Sequence, residues 1–253
     1  MLEWSETDGL ATMWLEHGPV NALDRDFLLD IAATVRRIEE EDVGALIVTG
    51  RGPCFSAGAD LFRVLEGGAS YIENSVEALS DTFEALFTFR RPMVAAINGH
   101  AIAGGCIIAA AADHRVMAEG DAKIGISELR VGVPFPTYAL EIMRYAAAPH
   151  KLQELVLFGH SYGVDRAIEL GLADEIVPAG SLVDTATERA KRLAAIPHGS
   201  FETIKRILRA PTIERIARMG PVIDGDVKSL WQSEDVTKSI ERFLETTLGS
   251  SKR

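Results

Sequence analysis

Cysteine is scarce. Two residues, Cys54 and Cys106, make up the whole complement of the 253-residue chain. Two isolated thiols make neither a disulfide framework nor a metal-ligand spacing, and free cysteine behaves as a small buried hydrophobe. The expected state is a pair of buried, reduced thiols in a cytoplasmic protein. Positive charge is also in deficit: Lys and Arg number 26 against 37 Asp and Glu, for a formal net charge of −11. That excludes the basic footprint of a nucleic-acid binder, though an anionic small ligand answers to local charge. There is no long apolar run. The longest weakly polar stretch, Met93 to Ala112, is interrupted by Asn98, Gly99 and His100. A membrane span needs roughly 20 uninterrupted apolar residues, and the opening "MLEWSETDGL" has no apolar segment of a signal peptide. The six histidines (17, 100, 114, 150, 160 and 198) show no ligand spacing, so no metal is expected. No internal repeat and no low-complexity segment is present.

What is there is an alternation. Short apolar runs at 10–16, 44–50, 92–99 and 114–119 read as strands. Between them, helical periodicity appears at 24–40, where Phe27, Leu28, Ile31, Val35 and Ile38 share a face, at 70–89, and in the stretch up to 112. Strands apolar on both faces suit a sheet covered by helices. From residue 138 onward helices dominate: 138–147, 150–158, 164–171, 181–195, 200–209, 213–230 and 235–247. The reading is an α/β core over 1–197 and a helical region over 198–253, with a hinge at Pro197 to Ser200 and the segment 51–60 as a loop.

Two small-residue stretches carry the chemistry. "AIAGGCIIAAAADH" (101–114) begins a helix at Gly104 and Gly105 without the usual Ser, Thr, Asp or Asn cap. Its first N–H groups therefore lack partners. With no Cβ in the way, a ligand oxygen can approach them; the plain alternative is that the glycines let the helix pack closely on a neighbour. "FSAGADL" (55–61) is a second such loop after a strand. If the two meet, they form a two-donor oxyanion hole.

"PVNAL" (19–23), "FSAGADL" (55–61), "INGHAIAGG" (97–105), "GLADEIVP" (171–178) and "FLE" (243–245) together resemble the crotonase superfamily, also called the enoyl-CoA hydratase/isomerase family. The resemblance runs from about residue 5 to 247. It implies a spiral of repeated ββα units, a C-terminal helical trimerisation region, and a homotrimer or dimer of trimers. It implies an acyl-CoA substrate, with CoA arriving only as part of that substrate and no separate cofactor. The thioester oxygen would accept from the N–H groups of Ala59 and Gly104. Ser56 and Ala57 would follow the adenine and pantetheine path, and Asp60, Arg63 and Gly105 join the substrate-binding set.

Hydratases of this family place one glutamate on the helix after the glycines and another about twenty residues on. The first position here is Ile107; the second, in "IGISELRVGVPF", is Glu128. One carboxylate beside an apolar wall resembles the Δ3,Δ2-enoyl-CoA isomerases, with Ile107 excluding water and raising the proton affinity of Glu128. Leu65, Val131 or Phe135 would face the distal acyl carbons. A hydratase and a non-catalytic acyl-CoA binder stand as alternatives. Cations for the CoA phosphates would come from Arg51, Arg63, Lys123, Lys252 or Arg253. "GHSYG" (159–163) matches the hydrolase nucleophile motif around Ser161, but helical spacing precedes it where that motif needs a strand.

Overall fold

The computed structural model describes residues 2–250, with side chains through residue 247; Lys252 and Arg253 lie outside the described residues. Strands β1 (Trp4–Thr7) and β2 (Leu10–Leu15) form an antiparallel hairpin. Asp8 and Gly9 turn it at φ 53° and 73°, the left-handed pair that a two-residue hairpin demands. After β3 (Ala22–Leu23) comes α1 (Arg25–Glu40). Asp24 caps it by accepting from the Phe27 N–H, and Phe27, Leu28, Ile31, Val35 and Ile38 are all buried on its inner face.

The chain then repeats one unit three times. First come β4 (Ala45–Gly50), β5 (Cys54–Ser56) with the short β6 (Gly58–Ala59), and α2 (Leu61–Thr88). Next are β7 (Met93–Ile97), β8 (His100–Ile102) and α3 (Gly104–Ala110). The third unit is β9 (His114–Ala118), β10 (Lys123–Gly125) and α4 (Glu128–Val131). Each unit gives its first strand to one sheet and its second to another. The chain continues through α5 (Thr137–Ala146), α6 (Leu152–Phe158), β11 (Tyr162–Gly163), α7 (Val164–Ala167), β12 (Glu175–Val177) and α8 (Leu182–Ala194), and ends in α9 (His198–Trp231) and α10 (Glu234–Ser250). The large sheet runs β1-β2-β4-β7-β9-β12, the smaller one β11-β10-β8-β5, and β3 pairs with β6.

Period-two alternation divides the large sheet between two cores. Leu46, Val48, Met93, Ala95 and Ile97 face the main core. Ala45, Ile47, Val94 and Ala96 face Leu182, Ala186 and Ala190 of α8. A third cluster joins α2, α4, α9 and α10 through Val64, Val76, Val131, Val227, Trp231 and Ile240.

Four details depart from the sequence reading. The segment 51–60 holds β5 and β6, too short to show a period. Helix α2 starts at Leu61, nine residues before the expected start, because Gly68 (φ 66°, ψ −169°) interrupts its pattern without ending it. The helices expected at 200–209 and 213–230 are the single α9, which passes through Pro211 and Pro221. Buried Arg209, Thr212 and Ile216 anchor it on both sides of Pro211, so packing outweighs one lost hydrogen bond. Helix α7 stops at Ala167, short of the expected 171. Among the described residues, no helix is long and apolar enough to cross a membrane.

Candidate active site

The two glycine-bearing stretches meet. A Cβ on Gly58 would lie 2.7 Å from Ala103 Cβ, 2.8 Å from the Ile102 carbonyl and 3.2 Å from the Gly104 nitrogen. Gly58 also sits at φ +83°. Only glycine satisfies both conditions. A Cβ on Gly104 would crowd only the tip of Leu23, at 2.7 Å from Cδ1, whereas one on Gly105 would meet the Ser56 carbonyl at 2.4 Å. Close packing of α3 on β3, β5 and β6 thus explains these glycines, and the same closeness leaves the amides unobstructed.

Helix α3 has no side-chain cap. Its first internal bond is Ile107 N–H to the Ala103 carbonyl, 3.1 Å; the N–H groups of Gly104, Gly105 and Cys106 precede it and have no intrahelical acceptor. Ala103 adopts φ 51°, ψ −122°, a conformation costly for a residue with a Cβ. It turns the chain from β8 into α3 and donates its N–H to the Gly125 carbonyl at 2.8 Å. On the other stretch, Asp60 N–H bonds the Leu23 carbonyl at 3.1 Å. Strand alternation then directs the Ala59 N–H away from β3.

Glu128 arrives from the adjacent strand. β8 and β10 pair in parallel, Ala101 with Ile124 and Ile102 with Gly125, so the strand leading to Gly104 lies beside the strand leading to Glu128. Helix α4 is a single turn closed by Gly132 at φ 93°. The residue is partly exposed, but its Oε2 is cut off from solvent and has no hydrogen-bond partner. Burial pushes the carboxyl up to about 7, against the pull of the Glu128 and Ser127 backbone N–H groups.

Ala57, Ala59, Gly104 and Glu128 share one cavity of about 60 Å³. Leu79, Phe83, Val131, Val133, Pro134, Pro136 and Trp231 complete most of its apolar wall. Among the described residues, Glu128 is the one ionisable side chain on that wall. An unpaired carboxyl whose proton affinity burial has raised thus shares one apolar cavity with the backbone of Ala59 and Gly104, an arrangement that proton transfer beside a polarised carbonyl would need.

The other expected residues are placed differently. Ile107 is fully buried in the main core and does not line the cavity. Three residues on from Gly104 it lies only about 60° round the helix, but its side chain belongs to the main core. The apolar wall beside Glu128 is instead built by Val131, Val133 and Pro134. Phe135 is likewise turned into the main core, while Pro134 and Pro136 on either side face the cavity. Ser56 is structural: its Oγ donates to the Asn21 carbonyl at 2.8 Å and accepts from Gly58 N–H at 3.2 Å. Asp60 caps α2, accepting from Phe62 and Arg63 N–H groups at 3.0 and 3.1 Å. Gly105 packs on Ser56, Arg63 is exposed, and neither it nor Leu65 lines the cavity. Of the basic candidates, Arg51 is engaged by Glu3 and Glu16 at 2.8 and 3.0 Å. His100, exposed at the start of β8, accepts from the Lys123 N–H at 3.1 Å and stands off the cavity. Cys54 and Cys106 are free and buried. Ser161 follows the C-terminus of α6 and precedes β11, the reverse of the strand–serine–helix order of a hydrolase elbow.

Sequence reasoning missed Trp231, Leu79 and Phe83. The last two recur at i, i+4 on α2 and read as ordinary core. Trp231 lies far along the chain from every motif; its one signal is helical spacing from Val227.

The sequence matches the enoyl-CoA hydratase/isomerase family model over residues 5–249. The chain belongs to this family. It is similar to human mitochondrial enoyl-CoA delta isomerase 1, 25% identical over 243 residues, covering 94% of this chain and 80% of the relative. It is also similar to a probable enoyl-CoA hydratase, echA17, of Mycobacterium avium, 31% identical over 220 residues and 84% of each chain. The fold superposes on the crystal structure of human mitochondrial delta3-delta2-enoyl-CoA isomerase with a TM-score of 0.93 at 23% identity, over 98% of both chains. The mixed α/β core with C-terminal helices is the crotonase fold that the motifs implied. An acyl-CoA substrate is consistent with membership of that family.

Proposed function

We propose that this chain is an enoyl-CoA isomerase that moves the double bond of a 3-enoyl-CoA to the 2-position. The observation that carries this reading is the single ionisable side chain on the cavity wall. Hydration needs a water held at C3 and a proton delivered at C2, work that two carboxylates share. A lone base suits a redox-neutral proton shuttle. Glu128 takes a proton from C2, the electrons spread over C2–C4 and the thioester oxygen as a dienolate, and the same carboxyl returns the proton at C4. The N–H groups of Ala59 and Gly104 hold the oxygen while it carries charge. Each such donor is worth roughly 3–4 kcal/mol of transition-state stabilisation. The apolar wall keeps water from adding to the alkene and holds the carboxyl near neutrality, where a base is most effective.

Mixing the protein with 3-hexenoyl-CoA and following the ultraviolet absorbance of the conjugated thioester tests the reading. A rise is expected, and Glu128→Gln should slow it by about 10²–10⁴-fold. The rate should climb with pH and level off above about 7, where Glu128 is ionised. Turnover of 2-hexenoyl-CoA to the 3-hydroxy product without isomerisation would replace this reading by a hydratase. Binding without either reaction would replace it by a carrier of acyl-CoA.

A further inference from the structure

A second, smaller space lies behind the first. It measures about 10 Å³ and is lined by Leu23, Val64, Ile72, Ser75 and Val76 among others. Ala59, Leu79 and Trp231 line both spaces. The indole of Trp231 and the side chain of Leu79 are therefore the partition between them.

This partition is rigid. Trp231 Nε1 donates to the Pro134 carbonyl at 3.0 Å, and the ring is only 4% exposed. It is packed in one cluster with Val64, Val76, Val131, Val227 and Val236. Beyond it lies the buried Ser75 Oγ, which has no hydrogen-bond partner. The fixed indole resists a longer chain. A water-sized group needs about 10–15 Å³ of such space. The rear space, about 10 Å³ against about 60 Å³ in front, is near the lower limit for a single such group.

We infer that Trp231 sets the acyl-chain length, restricting this enzyme to short acyl chains, with Leu79 as the second half of the stop. The inference rests on the acyl-thioester reading of the cavity. It does not depend on which reaction follows.

The test is therefore a binding ladder of saturated, unreactive thioesters: butanoyl-, hexanoyl-, octanoyl- and decanoyl-CoA, measured by titration calorimetry. For the native protein, affinity should peak at butanoyl- or hexanoyl-CoA and fall about tenfold or more by decanoyl-CoA, on the scale of a misfit methylene in an apolar pocket. Trp231→Leu should join the two spaces, tightening decanoyl-CoA about tenfold relative to butanoyl-CoA. Leu79→Ala opens the same partition from α2 and should shift the ladder in the same direction. Trp231→Phe, which keeps a ring in place, should hold the native order. Affinity that rises steadily through decanoyl-CoA in the native protein overturns the inference, and that measurement needs no variant to fold. So does an unchanged ladder in folded Trp231→Leu and Leu79→Ala. A short-chain ladder with no turnover of 3-hexenoyl-CoA defeats the isomerase reading alone. Turnover with no short-chain preference defeats this inference alone.

Discussion

Carboxylates are taken out of water in two regions of this molecule, with opposite results. Asp113, between α3 and β9, accepts from Met93 N–H at 2.8 Å, Lys205 Nζ at 2.6 Å and Arg209 Nη2 at 2.7 Å. Lys205 also donates to the Arg91 carbonyl, and Arg209 to the carbonyls of Phe87 and Ala111. Both cations are buried. The carboxylate is fully engaged and ties α9 to the body of the protein. Glu128 has no cation and one orphaned oxygen. A paired buried charge holds structure together; an unpaired one keeps its proton loosely enough to exchange it near neutral pH. Burial alone does not separate architecture from chemistry here. The presence of a partner does.

Removing each carboxylate sharpens this contrast. Asp113→Ala strands two buried cations and should cost about 3–5 kcal/mol of stability, as breaking a buried pair does; urea denaturation measures it. A loss below about 1 kcal/mol would mean the network is replaceable by water. Glu128→Gln should act in the other direction. The Glu128 carboxyl is raised from 4.5 to about 7 in the fold, so the folded protein binds this proton more tightly than the unfolded chain. The stability associated with it is complete below about pH 4.5 and is lost as pH rises through about 7. Glutamine has no such loss. At pH 8 the variant should be more stable than the native protein by at most roughly 3 kcal/mol, and near pH 4 the two should coincide. Denaturation curves at the two pH values check this, and a variant less stable at pH 8 would show that Glu128 has a stabilising partner after all. The smallest effect belongs to the turn between the two regions. Ala103→Gly relieves the strain at φ 51° but loosens the unfolded chain, for a net gain of about 1 kcal/mol in thermal unfolding.

Local rules that act over a few residues were legible in the sequence. The spacing of Phe27, Leu28, Ile31, Val35 and Ile38 located α1, and the uncapped Gly104–Gly105 pair located the start of α3. Glu128 was singled out by resemblance to the family rather than by a local rule, and it lines the cavity with Gly104. What was hidden depends on tertiary direction. Phe135 sits between two cavity-lining prolines and the phase of that extended segment turned it into the core, while Ile107, on a face near Gly104, is taken up by core packing. Trp231 reaches the cavity only because α9 folds back across α2 and α4, which no window of sequence around it records. Pro211 in α9 misleads for the same reason: local chemistry argues for a break that packing overrides.

The proposed grip on the substrate is made from main chain. Ala59 and Gly104 would supply amides rather than functional side chains, so an alanine scan would pass over Ala59 in silence and register at Gly104 only crowding. Divergence can therefore rewrite the acid, the wall and the depth of the chamber residue by residue while the carbonyl clasp stays intact, because the clasp is encoded in the course of the backbone rather than in any replaceable group.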